Sequence, residues 1–139
     1  MIDKKAKLDD KVRKLVKLEY VVWLTTVGSD LAPQPRPVWF IWDKGSFLIF
    51  SQVHAHKLKH IQNHANVSLH FNTDNTGDKD VIVYVGRAQI DANVPPAHKV
   101  RAYFNKYRAG IQDLGSTPEQ FSQEYSVAIR VTPTSLRGW

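Results

Sequence analysis

The chain contains no cysteine and no long run of apolar residues. The missing thiols exclude disulfides, thiolate metal sites and cysteine nucleophiles. No apolar stretch approaches the length that spans a bilayer, and the N-terminus is rich in Lys and Asp where a signal peptide would be apolar. We therefore expect a cytoplasmic protein that does not enter the membrane.

The chain also lacks the motifs of hydrolases. Its seven glycines form no glycine-rich phosphate loop, and neither paired carboxylates nor a Ser-His-Asp set stands out. Where a protein contributes no nucleophile and no metal, the reactive atom belongs to a cofactor, and the protein supplies binding, orientation and electrostatics. A cofactor-dependent activity is therefore the expectation.

The composition is that of one domain covering residues 1–139. Hydrophobic residues make up 42% of the chain, charges of both signs are mixed, and no low-complexity stretch occurs. The net charge of +6 favours anionic ligands, but the basic residues are spread over several segments and form no stripe with the aromatic ones. Nucleic-acid binding is therefore not expected.

The pattern of apolar residues predicts a mainly β fold. Strand and helix signals do not alternate as they do in a parallel sheet, so we predict a six-stranded antiparallel barrel with peripheral helices. Gly86 interrupts one long strand and indicates a bend or a bulge. The predicted strands cover residues 20–27, 31–42, 46–51, 67–72, 81–94 and 126–132. The predicted helices cover residues 3–18, 54–64 and 95–108, and a short one begins at Thr117 with a proline after its cap.

Three prolines mark the second predicted strand. Pro33, Pro35 and Pro37 lie two residues apart, so their missing N–H groups all fall along one edge. A neighbouring strand cannot pair with that edge. The edge is therefore either a border of the sheet or is left open beside a ligand.

The third predicted strand leads directly into a basic helix. Residues 55–61 (AHKLKHI) carry Lys57 and Lys59 and no carboxylate. Free backbone N–H groups and lysine charge converge at such a helix start, which favours a bound phosphate and so a phosphorylated cofactor. The alternative is that both lysines belong to the solvated face of an amphipathic helix.

Three histidines lie on one face of the same predicted helix. His56, His60 and His64 are four residues apart, a spacing that permits metal binding. No nearby carboxylate or cysteine completes a site, and the two lysines would repel a cation. We interpret the three as surface histidines and predict no metal.

Two groups of large aromatic residues are predicted to be structural. Trp39 and Trp42 are interpreted as core or interface residues, with a cofactor wall as the alternative. Tyr103, Phe104 and Tyr107 follow helical spacing and are assigned to core or dimer packing rather than to substrate contacts.

Several strings resemble a known family. They are residues 23–27 (WLTTV), 37–43 (PVWFIWD), 50–52 (FSQ), 67–71 (VSLHF) and 137–139 (RGW). They resemble the pyridoxamine 5'-phosphate oxidase-like, FMN-binding split-barrel superfamily, and within it they are most similar to the F420-dependent (deazaflavin) oxidoreductases. The resemblance implies a six-stranded split barrel, a homodimer with two cofactor sites at the subunit interface, and FMN or F420 with its phosphate near the strand-to-helix junction.

The resemblance also implies which residues bind the cofactor. Residues 36–41 occupy the place of the strand that runs under the flavin, and His56 and Lys57 stand where the oxidases have an Arg-Lys pair for the phosphate. Lys59 is a second basic residue of the kind that the deazaflavin group uses there. The implied cofactor-binding residues are Arg36, Pro37, Val38, Trp39, Phe50, Ser51, Gln52, His56, Lys57 and Lys59.

The chain departs from the oxidases in three ways. His56 replaces the phosphate-binding Arg, Val81 stands near the place of a flavin-contacting Gln, and the Arg and Tyr set that binds pyridoxal phosphate has no clear counterpart. These departures argue against pyridoxamine phosphate oxidation itself. The function predicted instead is hydride transfer between reduced F420 and a small unsaturated or quinone-like substrate, with no catalytic residue assigned.

Two alternatives are kept. One is an FMN-dependent oxidoreductase that uses the same pocket. The other is a non-catalytic carrier or haem-binding split barrel, in which His54, His56 or His70 would be the axial ligand.

Exposed aromatic area predicts the assembly. A barrel of this length cannot hide Trp23, Trp39, Trp42 and Trp139 equally well, so we expect a symmetric homodimer that covers some of them. The ending 137–139 is expected to be ordered, because leaving a terminal Trp loose in water forgoes the burial of a large apolar area.

Overall fold

The described residues fold into one antiparallel sheet with four α-helices around it. The computed structural model describes residues 4–78 and 81–138. The helices are α1 (Lys4–Leu18), α2 (His56–Asn63), α3 (Arg101–Asp113) and α4 (Pro118–Glu124), and a 3-10 helix at Ala97–Lys99 precedes α3. The strands are β1 (Val22–Val27), β2 (Pro33–Val38), β3 (Ile41–Asp43), β4 (Ser46–Ser51), β5 (Asn66–His70), β6 (Ile82–Ile90) and β7 (Val127–Gly138).

The strands are hydrogen-bonded in the order β2-β1-β5-β6-β7-β4-β3, and every pairing is antiparallel. One core cluster holds Leu24 of β1 and Ile49 of β4 together, although these strands lie near opposite ends of that order. The sheet therefore curls around the core. The predicted mainly β, barrel-like class is confirmed, and none of the helices in the described residues is long and apolar enough to cross a bilayer.

A second core lies on the other side of β4. It joins Leu48 and Phe50 of β4 to Tyr103 and Tyr107 of α3 and to Phe121 of α4. Leu48 and Phe50 alternate with Phe47 and Ile49, which enter the first core, so β4 is buried on both faces. The assignment of Tyr103 and Tyr107 to the core is confirmed.

The predicted second strand is two strands, and this break gives seven strands instead of six. Trp39 and Phe40 separate β2 from β3. Phe40 is fully buried in the first core, whereas Trp39 packs against the second. Trp39 and Phe40 therefore face opposite cores, as successive residues of β4 do, although they lie outside any strand.

Tyr107 satisfies the backbone polar groups at the break. The N–H of Phe40 donates to the Tyr107 hydroxyl over 2.7 Å. The hydroxyl in turn lies 2.8 Å from the carbonyl oxygens of Tyr20 and Phe40, so it donates to one of them. Lys106 Nζ donates to the same Phe40 carbonyl over 3.0 Å. Two adjacent α3 side chains therefore replace the strand hydrogen bonds that the break removes.

Helix α3 differs from its prediction at both ends. Residues 97–99 form a 3-10 helix, and the α-helix proper begins only at Arg101. It continues to Asp113, five residues past the predicted end at Arg108. A Cβ at Gly110 would lie 3.0 Å from the Trp39 ring, so the glycine is needed for close packing of helix against indole.

The bulge expected at Gly86 is confirmed. The β6–β7 register shifts between Val85 and Gly86, and a Cβ at Gly86 would lie 2.8 Å from the Thr132 carbonyl oxygen. Strand β7 does not stop at residue 132 but runs to Gly138, with Arg137 paired to Val83. The expected order of residues 137 and 138 is confirmed, and Trp139 lies outside the described residues.

We predict that Tyr107→Phe destabilises the protein. The buried Phe40 N–H would lose its acceptor, which costs about 1–3 kcal/mol of unfolding free energy, measurable by urea denaturation. Tyr103→Phe is the matched control. Tyr103 lies one turn earlier on α3, is equally buried, and its hydroxyl makes no hydrogen bond within the described residues. Equal losses for the two variants would show that the hydroxyl of Tyr107 does not hold the break.

Candidate functional site

Two cavities meet beside the end of β2 and the start of α2. The aromatic cavity has a volume of about 170 Å³ and reaches from Pro37–Trp39 to helices α3 and α4. The basic cavity has a volume of about 420 Å³ and lies between the β1–β2 pair and α2. Pro37 and Lys57 line both, so the two cavities adjoin at these residues.

Interlocked rings form the wall of the aromatic cavity. Trp39 stacks on Tyr107 at 4.6 Å between centroids and on Phe121 at 5.7 Å. Phe50 packs edge-on against Tyr103 at 4.8 Å. Because each ring is fixed by another, the wall is rigid and suits a planar ring system.

Cationic and titratable side chains line the basic cavity. Arg36 comes from β2, and His56, Lys57 and His60 come from α2. No carboxylate occurs among its lining residues. His60 is fixed by its Nδ1, which lies 2.9 Å from the hydroxyl oxygen of the buried Thr26. This cavity is therefore suited to an anion.

The electrostatics of Lys57 point to the same ligand type. Burial, and after it the charge of Arg36, lowers the pKa of Lys57 from its ordinary value of 10.5. Keeping Lys57 protonated in the folded chain therefore costs free energy, and a bound anion would offset that cost. It is the partly buried cation shared by both cavities.

The start of α2 leaves backbone donors free of side-chain caps. Ala55 is the N-cap residue, its backbone is extended, and no side chain accepts a hydrogen bond there. The first turn contains no acidic residue. The N–H of Leu58 in this turn donates to the Ala55 carbonyl over 3.2 Å, which leaves those of His56 and Lys57 for a ligand, as the sequence suggested for the helix start.

Most of the predicted cofactor residues come together here. Those that line one cavity or both are Arg36, Pro37, Val38, Trp39, Phe50, His56 and Lys57. The other three line neither cavity. Ser51 is buried and donates to the Gln52 carbonyl, Gln52 donates to Glu124 over 3.0 Å, and Lys59 is exposed.

Sequence reasoning missed the far wall of the aromatic cavity. Tyr103, Leu114, Phe121 and Tyr125 line it from α3, α4 and the residues that follow them. Spacing alone assigned Tyr103 to the core, which is correct but incomplete. Only the pairing of β4 with β7 and the packing of α4 against the 3-10 helix bring this segment next to β2. The one feature of the sequence that could have indicated this wall is the cluster of aromatic residues within 103–125.

The histidines do not form a metal centre in the part of the chain that the structure describes. No group of three His, Cys, Asp or Glu side chains there is placed to hold an ion. His56 and His60 face the basic cavity, whereas His54 is exposed and His70 stacks on Trp23.

The family is decided by the match along the chain. The model of the pyridoxamine 5'-phosphate oxidase family matches residues 8–139. The chain belongs to the pyridoxamine 5'-phosphate oxidase family. The resemblance inferred from the sequence is thereby confirmed, and no curated protein matches the chain.

Several solved structures share the fold of this chain. General stress protein 26 of Bacillus anthracis is 21% identical, with 93% of this chain and 91% of that one covered and a TM-score of 0.70. An F420 reductase is 19% identical, with 90% and 94% covered and a TM-score of 0.64. The haem storage protein HutZ of Vibrio cholerae is 14% identical, with 94% and 93% covered and a TM-score of 0.64. At these identities the likeness extends to the fold alone.

We predict that Lys57→Met stabilises the ligand-free protein near neutral pH. The pKa of Lys57 is lowered on folding, so the charged lysine opposes folding at neutral pH, where it is protonated in both states. The gain in unfolding free energy over the parent should shrink as the pH rises between the lowered pKa and 10.5, because there the folded parent sheds its proton before the unfolded chain does.

Lys59→Met is the control for this prediction. Lys59 lies two residues away on the same helix and is exposed, so its replacement should leave stability within about 0.5 kcal/mol. A loss of stability in Lys57→Met at neutral pH would contradict the prediction.

Proposed function

We propose that this family member binds F420 or FMN and transfers hydride between the reduced cofactor and a small unsaturated or quinone-like substrate. The observation that carries the proposal is the junction at Lys57 of a rigid aromatic cavity with a basic cavity that has no carboxylate in its lining. A planar ring joined to a phosphate needs both environments side by side.

The residues present fit such a group. Lys57 and His56 would hold the phosphate, together with the uncapped first turn of α2. Trp39 and Phe121 would lie against the ring. When bound, the deazaflavin or flavin supplies the hydride chemistry.

The protein's own contribution is orientation and exclusion of water. The rings of Phe50, Tyr103 and Phe121 give the cavity a wall with little conformational freedom. Burial raises the pKa of the Tyr103 hydroxyl far above its ordinary value, so this phenol keeps its proton and can act only as a neutral donor toward a ligand.

F420 is favoured over FMN. The basic cavity continues past Lys57 to Arg36 and Gln34, and so offers positive charge beyond what one phosphate requires. A longer anionic ligand uses that extension. The likeness to an F420 reductase agrees with this choice.

Titration of apo-protein separately with FMN and F420, read by cofactor fluorescence, tests the choice. We expect saturable binding of F420 with the higher affinity. Absence of saturable binding of both would overturn the proposal. An absorption spectrum with a Soret band after addition of haem would favour the haem-binding alternative, which the likeness to HutZ and the position of His56 keep open.

We predict that Lys57→Ala weakens cofactor binding by about one to two orders of magnitude, because it removes a charge-assisted contact to the phosphate. Affinity should also fall with added salt, because the contact is ionic.

Lys59→Ala is the matched control, since Lys59 is exposed and lines neither cavity. It should cost clearly less. If Lys57→Ala binds FMN and F420 as well as the parent does, the phosphate lies elsewhere and the assignment of α2 is wrong.

We also propose that the chain is a single domain that forms a symmetric homodimer. Arg36 and Pro37 beside the basic cavity are exposed in the isolated chain, and a second subunit would cover them. We predict a dimer in sedimentation equilibrium at micromolar concentration. A monomer at that concentration would contradict the assembly without touching the cofactor assignment.

A further inference from the structure

A third hollow, the outer cleft, lies between α1, β3 and α3. Its volume is about 540 Å³, and it shares no lining residue with the aromatic or the basic cavity. Val16 and Ile41 give it apolar walls, and Ala102 of α3 lies at its rim. Nothing in the proposed cofactor chemistry uses this space.

Two aromatic side chains face the outer cleft. Tyr20 is 59% exposed and Trp42 is 40% exposed, which is unusual for aromatics on the rigid part of a small domain. Neither ring is loose. Trp42 packs edge-on against Phe47 at 5.1 Å, and Tyr20 packs edge-on against Tyr107 at 5.9 Å. The cleft therefore presents preformed aromatic surface.

The side chain of Lys106 is fixed over the Phe40 ring, close to Tyr20. Lys106 Nζ lies 3.9 Å from the centroid of the Phe40 ring and donates one hydrogen bond, to the Phe40 carbonyl. An ammonium group has three donors, so two remain. Within the described residues, Lys106 makes no ion pair with a carboxylate, and no carboxylate lines the cleft. The amide of Asn105 lines the cleft beside it.

We propose that the outer cleft binds a small planar aromatic carboxylate, with its carboxylate on Lys106 and Asn105 and its ring against Trp42 and Tyr20. Two lysines line the cleft, but Lys17 is exposed and, within the described residues, only Lys106 is held by contacts with the protein. One fixed ammonium with one amide matches one small anionic group better than it matches a phosphate, which selects several donors or a helix start. The apolar walls and the exposed rings select an aromatic body.

The pH dependence of binding provides a second signature. Burial lowers the pKa of Lys106 to about 8. The other charged or titratable groups that face it are Lys17 of α1 and, after that helix, Glu19 and Tyr20; β3 presents only Ile41 and Trp42. Affinity for an anionic probe should therefore fall as the pH rises through about 8, and affinity for a neutral one should not.

The probe is 2-naphthoate, with the neutral 2-naphthamide as its matched control. Titration into the full-length ligand-free protein is followed by the backbone and indole N–H signals in two-dimensional NMR. We expect saturable shifts at the Trp42 indole and at Asn105, with affinity for the amide about tenfold or more lower. Shifts centred on Trp39 would place the probe in the aromatic cavity and overturn the proposal.

Variants locate the contact. Lys106→Met should lower naphthoate affinity about tenfold, whereas Lys99→Met, an exposed lysine just before the same helix, should not change it. Lys106→Met also removes the hydrogen bond from Lys106 to the Phe40 carbonyl, so a second variant that keeps this bond is needed. Ala102→Phe fills the cleft from the exposed face of α3 and should abolish binding.

Three other outcomes would overturn the proposal. They are equal affinity for naphthoate and naphthamide, unchanged binding in Ala102→Phe, and no shift at Trp42 at millimolar probe. Protection of the Trp42 signal that depends on protein concentration would show instead that a second copy of the chain occupies the cleft. Cofactor titrations in Ala102→Phe keep this test separate from the proposed function, because the variant should bind F420 as the parent does.

Discussion

The hydroxyl of Tyr107 is the contact on which the rest of the structure depends. It joins the N–H of Phe40 to a neighbouring carbonyl and so stabilises a break in what would otherwise be one continuous strand. At the break, Phe40 fills the core inside the curled sheet and Trp39 lies against α3 and α4. Trp39 then becomes a wall of the aromatic cavity, while Phe40 lies under Lys106 in the outer cleft. Tyr107 of α3 thus helps to position a wall of the aromatic cavity and the aromatic ring beneath Lys106 in the outer cleft.

The basic cavity illustrates a general conflict between stability and binding. Lys57 and Arg36 lie close enough for each charge to disfavour the other, and Lys57 is partly removed from water as well. A sequence selected for stability alone would place an apolar residue or a carboxylate there. Elsewhere the chain does neutralise a partly buried cation: Arg130 is paired with Asp43 and Asp91 at 3.0 and 2.9 Å. The contrast supports a ligand role for the unneutralised pair.

The structural features that depend on only a few neighbouring residues could be predicted from the sequence. The Thr117 cap is present with its partner Gln120, Gly86 marks a bulge, and the three prolines lie on a border strand. The break at Trp39 and Phe40 was not readable, because it depends on a hydroxyl 67 residues away. The extension of α3 past Arg108 was not predicted for a similar reason, since the close approach of Gly110 to Trp39 exists only in the folded chain. The α2 half of the candidate site is local and was predicted; the α3–α4 half required tertiary packing.

The prolines of edge strand β2 also affect how the chain associates with other copies at high concentration. Strand β2, which carries Pro33, Pro35 and Pro37, pairs with β1 along its whole length, and its opposite side has no partner strand in the described residues. An unprotected border strand is a template for runaway sheet extension between molecules. Prolines cannot donate to such an extension, and the strand at the other border, β3, has only three residues. The fold therefore resists amyloid-like stacking at both ends of its sheet while leaving the β2 side accessible to small molecules.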